Sequence, residues 1–180
     1  MDAIRKHLME VEEAMTLLNH EEIEKAVRVL QVVKKMSGAV YVFGNGGSHA
    51  TASHFANDLM KACRIRAVGV GDMTPTVSAW ANDMGAESGF YGPLSEMVKN
   101  YDALVGISCS GNSRNVVRAL QAGRDEWNVL CVGMTGPDDS LVSALDLDAL
   151  VRAMANDIRV QEDVHLMVCH AIVRQIQAEM

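Results

Sequence analysis

Twice in this chain a short apolar run ends in a turn of glycines and hydroxyl residues that leads straight into a helical pattern. AVYVFG at 39–44 enters GNGGS at 44–48, and DALVGIS at 102–108 enters SCSGNS at 108–113. Runs this short and apolar throughout read as strands covered on both faces, the condition of a parallel sheet between layers of helices. IRAVGVG (65–71), NVLCVGM (128–134) and LDALVRA (147–153) share that texture. Helical patterns separate the strands: from the first turn to about Ala62, around 76–84 and 91–99, over 113–124, and over 160–179. The alternation predicts an α/β fold, an open parallel five-stranded sheet with helices on both faces. The 180 residues carry no fixed-period repeat and no low-complexity segment, so residues 1–180 are expected to form a single domain.

Residues 1–37 precede the α/β core of 38–180. Ile4, Leu8, Val11, Met15 and Leu18 line one face of a helix. Asn19 then reads as the N-cap of a second helix, with Glu22 at the capping-box position. That helix continues through Ala26, Val27, Leu30 and Val33 and stops near Ser37-Gly38, so an N-terminal helical hairpin is expected. The narrow apolar seam of the first helix suits another subunit as readily as the chain's own core.

Bulk properties exclude several classes of function. A net charge of −7 with 4% aromatic residues argues against a nucleic-acid partner. No apolar run approaches the roughly 18 residues of a membrane span, and the charged, amphipathic start is not a signal peptide. Cys63, Cys109, Cys131 and Cys169 are widely spaced with no CxxC pair, the usage of reduced thiols in a cytoplasmic protein.

An acidic chain can still hold a small anion where backbone N–H groups and helix N-termini bind it. Both turns are built that way. In open α/β sheets ligands sit at the carboxyl ends of strands. The glycines of 44–48 permit close backbone approach, and Ser48 stands at a helix start. Ser108, Ser110 and Ser113 add three hydroxyls around Gly111. Hydroxyls and N–H groups converging at a helix start suit a phosphate monoester. Neither turn is GxGxxG or GxxxxGK[ST], so no nucleotide cofactor is expected.

GNGGSHATASHFANDL, ISCSGNS and QEDVHLMVCH together resemble the SIS (sugar isomerase) family, and within it the sedoheptulose 7-phosphate (phosphoheptose) isomerase branch. The likeness runs over essentially the whole chain. It implies a flavodoxin-like three-layer fold and an aldose–ketose isomerase acting on a phosphorylated sugar. It also implies a homotetramer, with active sites near subunit interfaces and the N-terminal helices in the assembly. Carried over by position, Ser108, Ser110 and Ser113 would hold the phosphate, with Cys109 among the substrate-binding positions. Asn45, Gly46, Gly47 and Ser48 would lie near the sugar, as would Asn82 and Asp83 of SAWANDMG. For this last pair, a plain helix C-terminal turn before Gly85 is the other reading.

Two helices carry acid/base candidates. His54 and Asp58 are i and i+4 on one face, and Glu162, His165 and His170 lie on the last helix. Moving a proton between C1 and C2 of a sugar needs a base, an acid for the carbonyl oxygen, and stabilisation of the developing oxyanion. The isomerase branch uses a His-x-x-x-Glu pair on the first helix, and a Gln and a His eight residues apart on the last. Some members hold zinc with the four. The matching positions are His54, Asp58, Glu162 and His170, with Asp58 and His170 as the implied catalytic pair. Asp58 is one methylene shorter than the family glutamate. Glu162 takes the glutamine position when the histidines set the register; Gln161 takes it only with an inserted residue. Two carboxylates and two imidazoles suit zinc or another divalent cation. His165 reads as structural, His49 as a substrate contact or a cap, and Asp157 as a substrate contact or an N-cap. Two other functions remain open: a non-catalytic phosphosugar sensor or assembly regulator on the same fold, and an isomerase of a different phosphosugar.

Overall fold

A computed structural model describes residues 2–180. Helices α1 (Ala3–Thr16) and α2 (His20–Lys35) precede β1 (Ala39–Gly44), α3 (Gly46–Cys63) and β2 (Arg66–Gly69). Then follow α4 (Thr74–Met84), α5 (Ser88–Met97), β3 (Ala103–Ser108), α6 (Arg114–Asp125), β4 (Leu130–Thr135), β5 (Ala149–Arg152) and α7 (Ile158–Ala178). Every expected strand and helix is present. β2 is shorter than the apolar run suggested, because Val70–Asp72 turns into a 3-10 segment that aims Asp72 back at α3, where its carboxylate accepts from the Ser53 hydroxyl at 2.8 and 3.0 Å.

All strand pairs are parallel, in the order β2-β1-β3-β4-β5. Residues alternate between two cores. Val40, Val42, Val105 and Ile107 face a layer built from α2, α3 and α7, while Tyr41, Phe43 and Leu104 face α5 and α6. Both faces are therefore dry, which is why the strands read as unbroken apolar runs. β1 and β3 are neighbours, yet the chain leaves β1 toward β2 and leaves β3 toward β4. Their carboxyl ends thus form the point where strand order reverses, the crevice in which ligands of doubly wound sheets lie. The two Gly/Ser turns stand side by side there.

The opposite ends of the strands are clamped by carboxylates. Asp102, 4% exposed, accepts from the N–H of Ala39 at 2.7 Å and of Lys99 at 2.8 Å. Asp148 accepts from Cys131 N–H at 2.7 Å. Glu22 belongs to this set, which corrects its expected capping-box role. Asn19 does cap α2 by accepting from Glu21 N–H at 3.0 Å, but the Glu22 carboxylate accepts from Leu150 N–H at 2.8 Å and pairs with Lys25 at 2.6 Å. Burial alone would raise the Glu22 pKa; the Leu150 N–H and Lys25 hold it below its ordinary value.

α1 lies along α7. Only the later part of its apolar seam is covered: Val11 and Met15 pack against the core and Leu18, just past the helix, is buried, whereas Ile4 and Leu8 are 77% and 63% exposed.

Candidate active site

The first turn is shaped by what surrounds it. A Cβ on Gly44 would stand 2.7 Å from the Ile107 carbonyl oxygen, so glycine is what lets the end of β1 approach the end of β3. Gly46 has φ +54°, a left-handed conformation that costs a residue with a side chain. A Cβ on Gly47 would stand 2.3 Å from Glu162 Oε1, which places the Glu162 carboxylate directly over the turn. The side chain of Asn45, at the N-cap of α3, pairs reciprocally with that of Asn115 on α6, at 3.0 and 2.9 Å. Neither Asn45 nor Ser113, the N-cap of α6, gives its helix a side-chain cap. The start of α3 therefore opens on the crevice without a side-chain capping oxygen, the state that favours an anion, whereas at the start of α6 Asn115 Oδ1 accepts from the Val116 N–H at 3.0 Å.

The second turn brings together two of its three expected hydroxyls. Ser108 Oγ donates to Ser113 Oγ at 3.1 Å. Ser110 is exposed and braces the turn, its Oγ accepting from Asn112 N–H at 3.2 Å. The turn is held from outside by the segment after β4: Asn112 Oδ1 accepts from Leu141 N–H at 3.0 Å, and Val142 N–H donates to the Gly111 carbonyl at 2.9 Å. Cys109 points inward, with its Sγ 3.8 Å from Ser48 Oγ and 3.9 Å from His165 Nδ1. Burial pushes the Cys109 thiol above its ordinary pKa, outweighing the opposing Ser48 hydrogen bond and aided by the nearby Glu162 charge, so it stays protonated.

The acid/base candidates lie along the seam where α3 and α7 run side by side in the same direction. Gly47 meets Glu162, His54 meets His170 further along, and Cys63 Sγ reaches the Val173 carbonyl at 3.7 Å beyond that. His54 and His170 present their Nε2 atoms to each other at 3.1 Å, with the rings edge to face and their centroids 5.1 Å apart. Asp58 Oδ2 lies 3.3 Å from His54 Nε2 and 3.8 Å from His170 Nε2. Their ligand atoms lie within 4.8 Å of one another, and among the described residues this is the one His/Cys/Asp/Glu group so arranged. Two facing imidazole nitrogens beside a carboxylate oxygen form a donor set that a divalent cation satisfies. Glu162 is not in that group, contrary to the four-ligand expectation: eight residues of helix rise about 12 Å between it and His170.

Other expected residues settle into supporting places. Asn82 and Asp83 lie exposed in the last turn of α4, Asn82 Nδ2 donating to Asp83 Oδ1 at 2.8 Å. Asp157 caps α7 by accepting from Arg159 N–H at 2.8 Å. His49 neither caps α3 nor lines the turn; its Nε2 lies 3.3 Å from Asp72 Oδ1. His165 is 1% exposed, with Nε2 3.0 Å from the Thr135 carbonyl oxygen, and burial lowers its pKa to about 4. Asn115, Asp72 and Thr135 escaped the sequence reading. Asn115 had a faint signal in lying two residues past SCSGNS, whereas the other two carry none.

A family model described as SIS domain matches residues 2–136. The phosphoheptose isomerase of Proteus mirabilis is 33% identical over 190 residues, spanning 99% of this chain and 97% of that protein. Among solved structures, phosphoheptose isomerase GmhA from Neisseria gonorrhoeae superposes with a TM-score of 0.87 at 28% identity, covering 96% of this chain and 94% of that one. A phosphoheptose isomerase from Francisella tularensis shares the fold at TM-score 0.86 and 20% identity, covering 97% and 94%.

Proposed function

The chain belongs to the SIS domain family, and on that footing we propose that it is a sugar-phosphate isomerase interconverting sedoheptulose 7-phosphate and an aldoheptose 7-phosphate. The observation that carries the reading is the convergence of His54, Asp58 and His170 on the α3–α7 seam that begins at the first Gly/Ser turn, where Gly47 faces Glu162, with the second turn beside it at the end of β3. A phosphate seated on 108–113 leaves its carbon chain to run past Ser48 and Glu162 toward the three side chains. A long sugar with its phosphate at the end far from the carbonyl suits that layout.

In this reading Asp58 or His170 removes the proton from the carbon beside the carbonyl and returns it to the neighbouring carbon. The other serves as the acid for the carbonyl oxygen. Asp58 is three-quarters shielded and flanked by two imidazoles, so either partner can take up a proton released by the other. His54, Asp58 and His170 would also be the set to hold zinc or another divalent ion, which when bound would supply electrophilic stabilisation of an enediolate oxygen in place of proton transfer by the side-chain atoms it occupies. Glu162, over Gly47, is left to the sugar hydroxyls. The half-exposed histidines and the uncovered Ile4 and Leu8 support a homotetramer in which a second copy closes the site.

The test is turnover of sedoheptulose 7-phosphate by the wild type and by Asp58→Asn and His170→Ala. Loss of general acid/base catalysis is expected to lower kcat by about 100-fold or more in each variant. Full activity in both would overturn the assignment.

A further inference from the structure

Beneath the two turns lies a polar chain that the isomerase chemistry does not use. Ser48, Cys109, His165 and Thr135 come from α3, the end of β3, α7 and the end of β4, and all four are buried. His165 Nε2 stands 3.0 Å from the Thr135 carbonyl oxygen, and its Nδ1 stands 3.9 Å from Cys109 Sγ, which stands 3.8 Å from Ser48 Oγ. Ser48 Oγ has no other protein partner among the described residues.

Chemistry gives this chain one direction. A carbonyl oxygen only accepts, so the ring hydrogen of a neutral His165 sits on Nε2 and donates to Thr135. Burial keeps the imidazole neutral down to about pH 4, so this single tautomer persists at working pH. Nδ1 is then a lone pair and takes the hydrogen of the Cys109 thiol, which burial keeps protonated. A thiol that spends its hydrogen on Nδ1 can only accept from Ser48. The Ser48 hydroxyl hydrogen therefore turns inward, and its lone pairs are left for the crevice.

We propose that His165 is a positioning residue for the sugar site: through the Cys109 thiol it orients the Ser48 hydroxyl, so that Ser48 meets the substrate as a hydrogen-bond acceptor for a sugar hydroxyl. The inference rests on the sugar-phosphate reading above. It places a specificity element in the buried floor of the site. A rotating hydroxyl could donate or accept, whereas an oriented one accepts only and favours a ligand with a free hydroxyl at that point. A site built for one hydrogen-bonding pattern discriminates against ligands that lack it.

The experiment is a double-mutant cycle read in both kcat/KM and calorimetric affinity for sedoheptulose 7-phosphate. Its members are Cys109→Val, Ser48→Ala and the double variant, with Cys109→Ser as the conservative replacement. Valine fills the space of the thiol without its hydrogen. Cys109→Val is expected to weaken binding and kcat/KM about 5- to 10-fold, the size of one lost neutral hydrogen bond. In the Ser48→Ala background the same change is expected to cost less than about twofold, because coupled residues are not additive. Cys109→Ser, which keeps a donor and an acceptor, should recover most of the loss. Equal losses in both backgrounds, or no loss in either, overturn the relay. Should Cys109→Val fail to fold, Cys109→Ala removes the same thiol without adding bulk, and the cycle is read with it. Wild-type protein that binds the sugar phosphate without turning it over refutes the isomerase and leaves the cycle readable by affinity. Protein that does not bind it refutes both.

Discussion

His165 makes the stability of this protein depend on pH between about 6.5 and 4. Its ring is 1% exposed, and burial lowers its pKa from 6.5 to about 4. As pH falls below 6.5 the unfolded chain takes up a proton at this residue while the folded chain does not, so folding becomes less favourable. The stability associated with the neutral ring is fully present above about pH 6.5 and is lost progressively down to about pH 4. At about 1.4 kcal/mol per pKa unit, the full loss is about 3 kcal/mol. That is a large part of the 5–15 kcal/mol typical of a folded domain. The perturbation is His165→Gln, whose amide can still donate to the Thr135 carbonyl but does not titrate. Urea unfolding midpoints would be measured for both proteins from pH 8 to pH 4. Other titrating groups are common to the two, so the difference between the curves isolates His165. The wild type should lose about 3 kcal/mol relative to the variant across the window. Parallel curves would refute the argument, since they would mean that the ring is protonated as easily when folded as when unfolded.

Gly44→Ala would drive a methyl to 2.7 Å from the Ile107 carbonyl oxygen, a backbone atom that cannot step aside. It should lower stability by about 1–3 kcal/mol in thermal unfolding and raise KM by parting the two turns. Glu22→Ala leaves the Leu150 N–H in β5 without its acceptor. A loss of about 1–3 kcal/mol is expected in denaturant titration, with kcat unchanged, because the clamp lies at the end of the sheet away from the crevice. Cobalt(II) titration of metal-free protein, followed by visible absorption, should saturate at one equivalent per chain. His54→Ala and His170→Ala should each abolish the signal; a signal that persists in both would place the metal elsewhere.

Most of the architecture was legible because the physical cause of each element is local. Two-sided burial makes a parallel strand apolar throughout, so AVYVFG and ALVGIS announced β1 and β3 by composition alone. Asn19 and the glycines of GNGGS marked where helices start because capping and positive φ are requirements on single residues. Glu22 misled for the same reason. Its spacing from Asn19 is that of a capping box, but a backbone N–H in a strand 128 residues away offered a better-placed partner.

The candidate site divides along the same line. His54 and Asp58 share a helix face by their spacing, and Glu162 and His170 border one face of α7 by theirs; the sequence by itself determined both pairs. Only the packing of α3 against α7 decided which members meet. It brought His170 to within 3.1 Å of His54 and left Glu162 over Gly47, because the two helices run in the same direction with Gly47 and Glu162 in step. The inward turn of Cys109, and the buried line it forms with Ser48, His165 and Thr135, was likewise a tertiary decision. Spacing along one helix is set by the pitch of the backbone. Contact between helices far apart in the chain is set by the shape of the core they share.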